Sequence, residues 1–542
     1  MKIILSPNIR KMIFGCVATL LLAITSVVHF WKIGYLPSGL YGDECSIAYN
    51  AYCIAKTGAD EYGTRYPVFF RGFDNYHDPV MVYCLAPLTA VFGLNEWVAR
   101  LPSAVFHVLA SIMFALLVQE YCRNRWIAVA SGFVFSVIPW VFPVSRTVSA
   151  GYTPMLLGMT AGWLWLMRAF GRRSHNYAIA AGVAWAFAMY SHNIGRPMTA
   201  LLLICFALAY NRLLLSRWKI GVTFSASYVA TLVPMIVWVL RTPQALTERF
   251  ETLSIFEDHP TILIAFLRFG SRFLEYFSPQ FLWLHGDSNV RHNIGFGGEL
   301  FWFVAPLVCL GLFVVIRFFR RRPQYRFLAA GTLIYPTAAC LTHDHMHSMR
   351  SINGVIFWML LAALGARLLW QKRGLWRKLL LVIMCAASVE ITLYLRTYFG
   401  PKYQTHCRTF FQGELADALK YCFHHLRKGQ VLYISNSLFS PNGSIVNTEL
   451  KPFLYAYVLF YGKIDPYKYQ RTGFPMDTVQ LYDGNPQKKG LLLRCNFYFL
   501  PQNDPQWVLD AERLPANSIR LLIIPYGNSD VHYEILQIPG SS

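Results

Sequence analysis

The chain has 542 residues, 55% of them hydrophobic and only 14% charged, with a mean hydropathy of +0.36, a balance that excludes an ordinary soluble globular protein. A net charge of +21 invites a nucleic-acid reading, but the Lys and Arg residues fall in short clusters between apolar runs, where orientation in a bilayer explains them. No nucleic-acid partner is therefore expected; the membrane is.

The opening stretch, MKIILSPNIRKMIFGCVATLLLAITSVVHFWKIG, starts like a signal peptide. Its apolar part is about 20 residues long and no small-x-small cleavage site follows, so an uncleaved first span is expected. Apolar runs then recur, giving about eleven candidate spans, near 12–34, 103–121, 126–143, 153–170, 177–191, 198–215, 220–240, 299–316, 327–341, 352–370 and 379–395. Basic clusters at Arg10/Lys11, Arg123/Arg125, Arg172/Arg173, Arg217/Lys219, RFFRRRPQYR (317–326) and QKRGLWRK (371–378) occupy every second gap. Positive charge stays inside, so the N-terminus is placed in the cytoplasm of a multi-pass inner (plasma) membrane protein. The gaps 35–102, 144–152, 191–197, 241–298 and 342–351 then face outward.

Beyond about residue 396 the composition turns polar, with strand-like runs at QVLYIS (430–435), YAYVLFYG (455–462), GLLLRCNFYFL (490–500) and SIRLLIIPYG (518–527) and a helix over GELADALKYCFHHL (413–426). The expected fold class is a mainly α membrane protein: a multi-span helical bundle over 1–395, then a small extracytoplasmic α/β domain over 396–542. The 12 Cys form no CxxC pair and no zinc spacing, and half lie in apolar segments as small hydrophobes. Cys407, Cys422 and Cys495 sit in the polar part, where two of the three can pair if it lies outside the cytoplasm; which two stays open.

The first outer loop is long. ECSIAYNAYCIAKTG carries apolar and aromatic residues at helical spacing, so a helix lying along the membrane surface is expected. Asp43 and Glu44 stand at the junction of the first span and that helix. Acids there cap a helix N-terminus, or they do chemistry. Their company favours chemistry: Arg146, Arg196, Arg268, Arg272, Arg291 with His292, and the run His343 to Arg350 lie at outer span ends or in outer loops, against the inside bias of positive charge. One such arginine is a snorkelling surface charge. Several around a carboxylate fit an anionic lipid headgroup, because guanidinium matches phosphate in bidentate fashion.

GDE before the surface helix, TGADEYGTRYP (57–67), APLTAVFGLNEWVARLPSA (86–104), SRTVSAGYTP (145–154), YFSPQFLWLHGDSNVRHN (276–293) and THDHMHSMR (342–350) resemble the GT-C superfamily of polyprenyl-phosphate-dependent glycosyltransferases, in particular the glycosyltransferase 39 and aminoarabinose-transferase-like group of bacteria. The resemblance covers about residues 10–395. It implies a GT-C-like bundle that moves a sugar from a polyprenyl-phosphate-linked donor to a hydroxyl of a lipid, glycan or protein acceptor on the outer face, with inversion. By the same resemblance Asp43 takes the acceptor proton, Glu44 supports it, and Arg196, Arg272, Arg291, Arg350 and Arg146 are candidates for the donor phosphate. Asp74, His77 and Asp78 in FDNYHDPV, with His343 and His347, are taken to line the cavity; for the first three a turn before Pro79 is the competing reading. His343, Asp344, His345 and His347 have the types of a metal site, but they lie at i, i+2 and i+4 in a short loop without the helical i, i+4 frame, so no metal and no other cofactor is assigned. The alternative function is a transporter or flippase of an anionic or polyprenyl-linked lipid, which also gathers cations in a membrane cavity. Charges clustered at one face, not at the midplane, favour the enzyme.

Overall fold

The structure, a computed structural model, describes residues 7–73, 75–243, 253–372, 374–435, 450–473, 477–482, 489–495, 497–500, 506–509, 518–525 and 532–539. The chain divides into two units: Met1–Trp31, Asp78–Val80 and Leu101–Gly400 make the first, and Lys32–His77, Met81–Arg100 and Pro401–Ser542 the second.

In the first unit a helix lies in each expected span: Pro7–Phe30, most of Glu96–Cys122, Arg125–Val137, Tyr152–Arg172, His175–Ser191, Gly195–Ala209, Trp218–Arg241, Val304–Phe318, Pro323–Ile334, Gly354–Gln371 and Leu375–Phe399. Five helices, Asn8–Phe30, Glu96–Cys122, Trp218–Arg241, Gly354–Gln371 and Leu375–Phe399, are long and apolar enough to cross a bilayer. This is a multi-pass membrane protein; the others are shorter or less apolar, so a count of eleven stays an expectation. The apolar window of Gly354–Gln371 is 72% buried, against 11% for the first helix and 17% for Trp218–Arg241. Gly354–Gln371 is therefore a core helix, and the other two turn apolar residues such as Leu20, Val27, Val229 and Leu240 outward, as helices do against lipid. Close approach holds the core helix to Val304–Phe318: a Cβ at Gly311 would strike the Leu361 backbone, and one at Gly365 the Leu307 backbone. Small residues at such crossings let two apolar helices touch along their backbones.

The second unit joins the first long loop to the C-terminal part. Helix Gly42–Thr57 is buried from Glu44 to Ala51 and again at Cys53 and Ile54, and it packs on helix Leu450–Tyr461. The expectation of a helix lying on the membrane surface is thus corrected. Its apolar residues lie all round the helix and meet protein. Tyr457 Oη donates to Leu40 O at 2.8 Å and Tyr49 Oη to Ile464 O at 3.1 Å, which ties the two helices by backbone carbonyls. YAYVLFYG, read as a strand, is the body of that second helix: aromatic residues four apart share a face there, and Tyr457 and Tyr461 lie parallel.

The expected C-terminal helix and the other strand-like runs are present. Helix Gly413–His425 is present, and β3 (Val431–Ile434), β4 (Val479–Leu481), β5 (Lys489–Cys495), β8 (Ile519–Pro525) and β9 (His532–Pro539) form one sheet in the order β4-β3-β5-β9-β8. β3 runs parallel to β4 and β5; β9 runs antiparallel to β5 and β8. Hairpins β1 (Phe70–Gly72) with β2 (Asn75–His77) and β6 (Phe497–Leu500) with β7 (Gln506–Leu509) complete the strands. Cys407 and Cys422 are both buried free thiols, so neither joins a disulfide, and the Cys495 side chain lies outside the described residues.

Candidate functional site

The two neighbouring acids separate at once. Helix Gly42–Thr57 starts after Tyr41, and Glu44 at its third position accepts the Tyr41 backbone N–H at 2.8 Å, closing a capping box. Glu44 is buried, and Arg100 Nε reaches its Oε1 at 3.1 Å and Nη2 its Oε2 at 3.3 Å. Arg100 is itself fully buried and also donates to Pro37 O at 2.6 Å and Gly39 O at 2.5 Å. Glu44 thus pins the loop to the helix and caps it. Asp43, one residue earlier, is half-buried and makes no hydrogen bond or ion pair among the described residues. In the same unit His77 Nε2 meets Ser46 Oγ at 3.0 Å, which fixes the imidazole beside this helix. Asp74 lies outside the described residues.

The candidate arginines of the first unit differ sharply. Arg146 is fully buried and donates to Val28 O at 2.5 Å, His29 O at 2.7 Å and Trp31 O at 2.8 Å, with Nε on Tyr398 Oη at 3.2 Å. These are the last carbonyls of the first helix and the residue after it, so Arg146 caps that helix C-terminus. Arg196 pairs with Asp78, each partly exposed. Arg272 is buried and donates to Thr342 O. Arg350 Nη1 lies 2.7 Å from Asp344 Oδ2.

The histidine run 343–347 does not act as one group. His343 Nε2 goes to Glu257 Oε2 at 2.6 Å and His345 Nδ1 to Glu275 Oε2 at 3.0 Å, both on the exposed side. Only His347 turns inward, where its backbone N–H donates to Tyr276 Oη at 3.0 Å and its ring sits 4.9 Å from that of His292. His292 Nδ1 lies 2.8 Å from Asp287 Oδ2. The Ser348 backbone N–H also donates to Asp287 Oδ2, at 2.9 Å. Glu299, fully buried, accepts at Oε1 from Asp287 N at 2.9 Å and Ser348 Oγ at 2.6 Å. Gly286, at φ +69, leaves space for this arrangement, since a Cβ there would strike Asn293 Nδ2 and Glu299 Oε1.

Burial raises the Asp287 carboxyl, but the hydrogen bond and charge of His292 outweigh it and hold the group below the usual carboxylate range. Burial, reinforced by His292 and Arg350, pushes the His347 imidazole well below its ordinary value, so it is neutral at pH 7. Sequence reading placed His292 and Arg291 in an outer loop but passed over Asp287 and Glu299. The dense polar run HGDSNVRHN was the signal.

With the geometry in place, comparison with known proteins is specific. Residues 76–238 match the profile of the dolichyl-phosphate-mannose-protein mannosyltransferase family. The solved structure of ArnT from Cupriavidus metallidurans in the apo state is similar with a TM-score of 0.54 at 14% identity, over 89% of this chain and 93% of that one. The archaeal oligosaccharyltransferase AglB from Archaeoglobus fulgidus, solved with an inhibitory peptide and a dolichol-phosphate, is similar at a TM-score of 0.50 and 12% identity, over 94% of this chain and 75% of that one. At these identities the likeness shows the fold alone: the chain folds like ArnT and AglB. No curated protein sequence matches the chain.

Proposed function

We propose that the chain is an integral membrane glycosyltransferase that moves a sugar from a polyprenyl-phosphate-linked donor to a hydroxyl of a lipid, glycan or protein acceptor, on the outer face of the inner membrane and with inversion. The family profile over 76–238 and the GT-C fold support this reading. The single observation that carries the mechanism is the division of labour at the start of helix Gly42–Thr57: Glu44 is locked to Arg100, and Asp43 is left half-exposed without a partner.

In this mechanism Asp43 accepts the proton of the acceptor hydroxyl as that oxygen bonds to the anomeric carbon. The bond from the anomeric carbon to the phosphate oxygen breaks on the opposite face, and the polyprenyl phosphate leaves with the electron pair. A phosphate leaving group is already a good anion, so it needs positive charge more than a proton. Arg196, Arg272, Arg291 and Arg350 are the candidates for that charge. Arg146 is better explained as the cap of the first helix. The N-terminus is cytoplasmic and the part after residue 400 extracytoplasmic in this reading.

The test is mass spectrometry of outer-surface lipids, glycans and glycoproteins from cells with the gene, without it, and complemented by Asp43→Asn. Loss of one sugar mass on deletion, restored by the wild type and not by the variant, is expected. Restoration by Asp43→Asn would remove the base assignment. Lipid flux in liposomes with no covalent product would replace the enzyme by a transporter.

A further inference from the structure

We propose that Asp287, His292 and His347 bind one divalent transition-metal ion, with zinc the best match. One ligand atom from each residue lies within 4.8 Å of the others. The Asp287 Oδ2 to His292 Nδ1 separation is 2.8 Å and the Asp287 Oδ2 to His347 Nδ1 separation is 4.0 Å. An ion held at about 2.0–2.1 Å in tetrahedral geometry needs ligand atoms roughly 3.3 Å apart, so the observed pair brackets the requirement and small side-chain rotations meet it. The His292 and His347 rings are tilted by 44° at 4.9 Å and are not stacked, and His347 Nδ1 accepts the Arg350 backbone N–H at 3.4 Å, a long bond that an ion would replace.

The support around the ligands is that of a built site. Asn289 N donates to Asp287 Oδ1 at 2.8 Å and Ser348 N to Oδ2 at 2.9 Å, which fixes the carboxylate plane. Glu299 holds both loops from behind, through Asp287 N and Ser348 Oγ, and its Oε2 is buried with no hydrogen-bond partner among the described residues. Outer groups of this kind orient metal ligands. Asp287 and His292 side chains are 5% and 8% exposed, and His347 is 17% exposed, so the three ligands are largely shielded from solvent, His347 the least. Two imidazoles and a single carboxylate suit zinc and its first-row neighbours; calcium and magnesium demand more oxygen.

The three ligands come from two loops far apart in sequence, 285–299 and 342–350. An ion there cross-links the loops that carry Arg291, next to His292, and Arg350, three residues after His347. That consequence for phosphate binding rests on the proposed glycosyl transfer; metal binding itself does not. Without an ion the same atoms are held by the His292–Asp287 hydrogen bond, the Ser348 N–H on Asp287 Oδ2 and the Arg350 N–H on His347 Nδ1, so the metal content decides.

The experiment uses the full chain, purified in detergent on a tag that binds no metal, stripped with a chelator, incubated with limiting Zn²⁺ and desalted. Elemental analysis is expected to find one zinc per chain, and Co²⁺ in its place to give the visible absorption of a tetrahedral site. His347→Ala and His292→Ala are each expected to lower retention at least about tenfold while eluting as folded protein, and His345→Ala to keep it. His347 is the decisive position, because its partial exposure lets the chain fold without it. A wild-type chain that retains no zinc, cobalt or manganese in stoichiometric amount overturns the site, as does full retention by folded His347→Ala or equal loss in His345→Ala. Failure of glycosyl transfer alone, with one zinc bound, speaks against the enzyme and leaves the site standing.

Discussion

Adjacent carboxylates on one helix turn point about 100° apart, and here that rotation sends them to different fates. Glu44 sits at an ion pair whose loss leaves a charge stranded: Arg100→Ala removes the guanidinium from a buried carboxylate and from the backbone carbonyls of Pro37 and Gly39 at once. Breaking a buried pair from one side costs about 3–5 kcal/mol. Arg100→Ala is therefore expected to lower the melting temperature in detergent markedly, and Asp43→Asn to leave it unchanged while abolishing sugar transfer. Equal melting of the wild type and Arg100→Ala would show that the pair contributes nothing to the fold. Glu61 gives a second residue-level test. Burial raises its carboxyl to about 8, opposed by hydrogen bonds from Asn50 and Tyr455. The folded state then holds a proton that the unfolded chain, at about 4.5, has lost. Stability is fullest below the unfolded value and falls as pH rises toward 8, by about 1.4 kcal/mol per pH unit for one proton. Glu61→Gln removes that slope, so its melting temperature relative to wild type should climb between pH 5 and 8. A difference that stays flat over that range would mean Glu61 is ionised in the folded chain.

At the scale of elements, the sequence was readable where one physical cause acted alone. Spans were found because lipid imposes long apolar runs, and helix Gly413–His425 because its apolar residues follow a single helical stripe. It misled where aromatic residues served two environments. ECSIAYNAYCIAKTG has the composition of an interfacial helix and is a core helix, because its cover is supplied from hundreds of residues later. YAYVLFYG reads as a strand by β-propensity and is a helix because Tyr457 and Tyr461 fill one face. An interfacial helix is expected elsewhere, at Ile262–Glu275, whose large apolar side chains point outward. Ile262, Leu263, Phe266, Leu267 and Leu274 are exposed, at 90%, 66%, 68%, 60% and 71%. The opposite side carries Arg272, buried on Thr342 O, and Arg268 on Ile255 O. At about 1.5 Å per residue its 14 residues reach roughly 21 Å, short of the about 30 Å needed to cross. Such a helix belongs at the lipid surface with its apolar side in the acyl chains. A fluorophore on Phe266→Cys, in a background without the exposed thiols Cys16, Cys309 and Cys385, should be quenched by spin-labelled lipid in nanodiscs. Quenching by aqueous iodide instead would place the helix in water.

For the whole molecule, the instructive boundary is the one composition suggested near residue 396. The polar C-terminal part begins there, next to the division observed between Gly400 and Pro401. Composition alone makes it a detachable appendage. The contacts inside the second unit argue otherwise, because the C-terminal part supplies what the first loop lacks. Tyr457 holds Leu40 O, Tyr461 holds Glu96 Oε1 at 2.9 Å, Tyr467 holds Lys56 O at 2.8 Å, and Gln470 Nε2 holds Asp60 O at 2.7 Å. Lys420 adds an ion pair to Glu96 at 2.8 Å. A chain ending at Gly400 would strip helix Gly42–Thr57 of the helix Leu450–Tyr461 packed on it and leave Tyr49 without Ile464 O and the Tyr469 ring, at about 1.5–3 kcal/mol for each large apolar side chain returned to water. Domain stability is only about 5–15 kcal/mol, so that loss is comparable with the whole. The truncated chain is expected to insert its spans yet elute from detergent as aggregate, with protease cutting first between Gly39 and Tyr66. If it instead elutes as a single species and still transfers sugar in an Asp43-dependent way, the C-terminal part is an independent domain and the first loop folds without it.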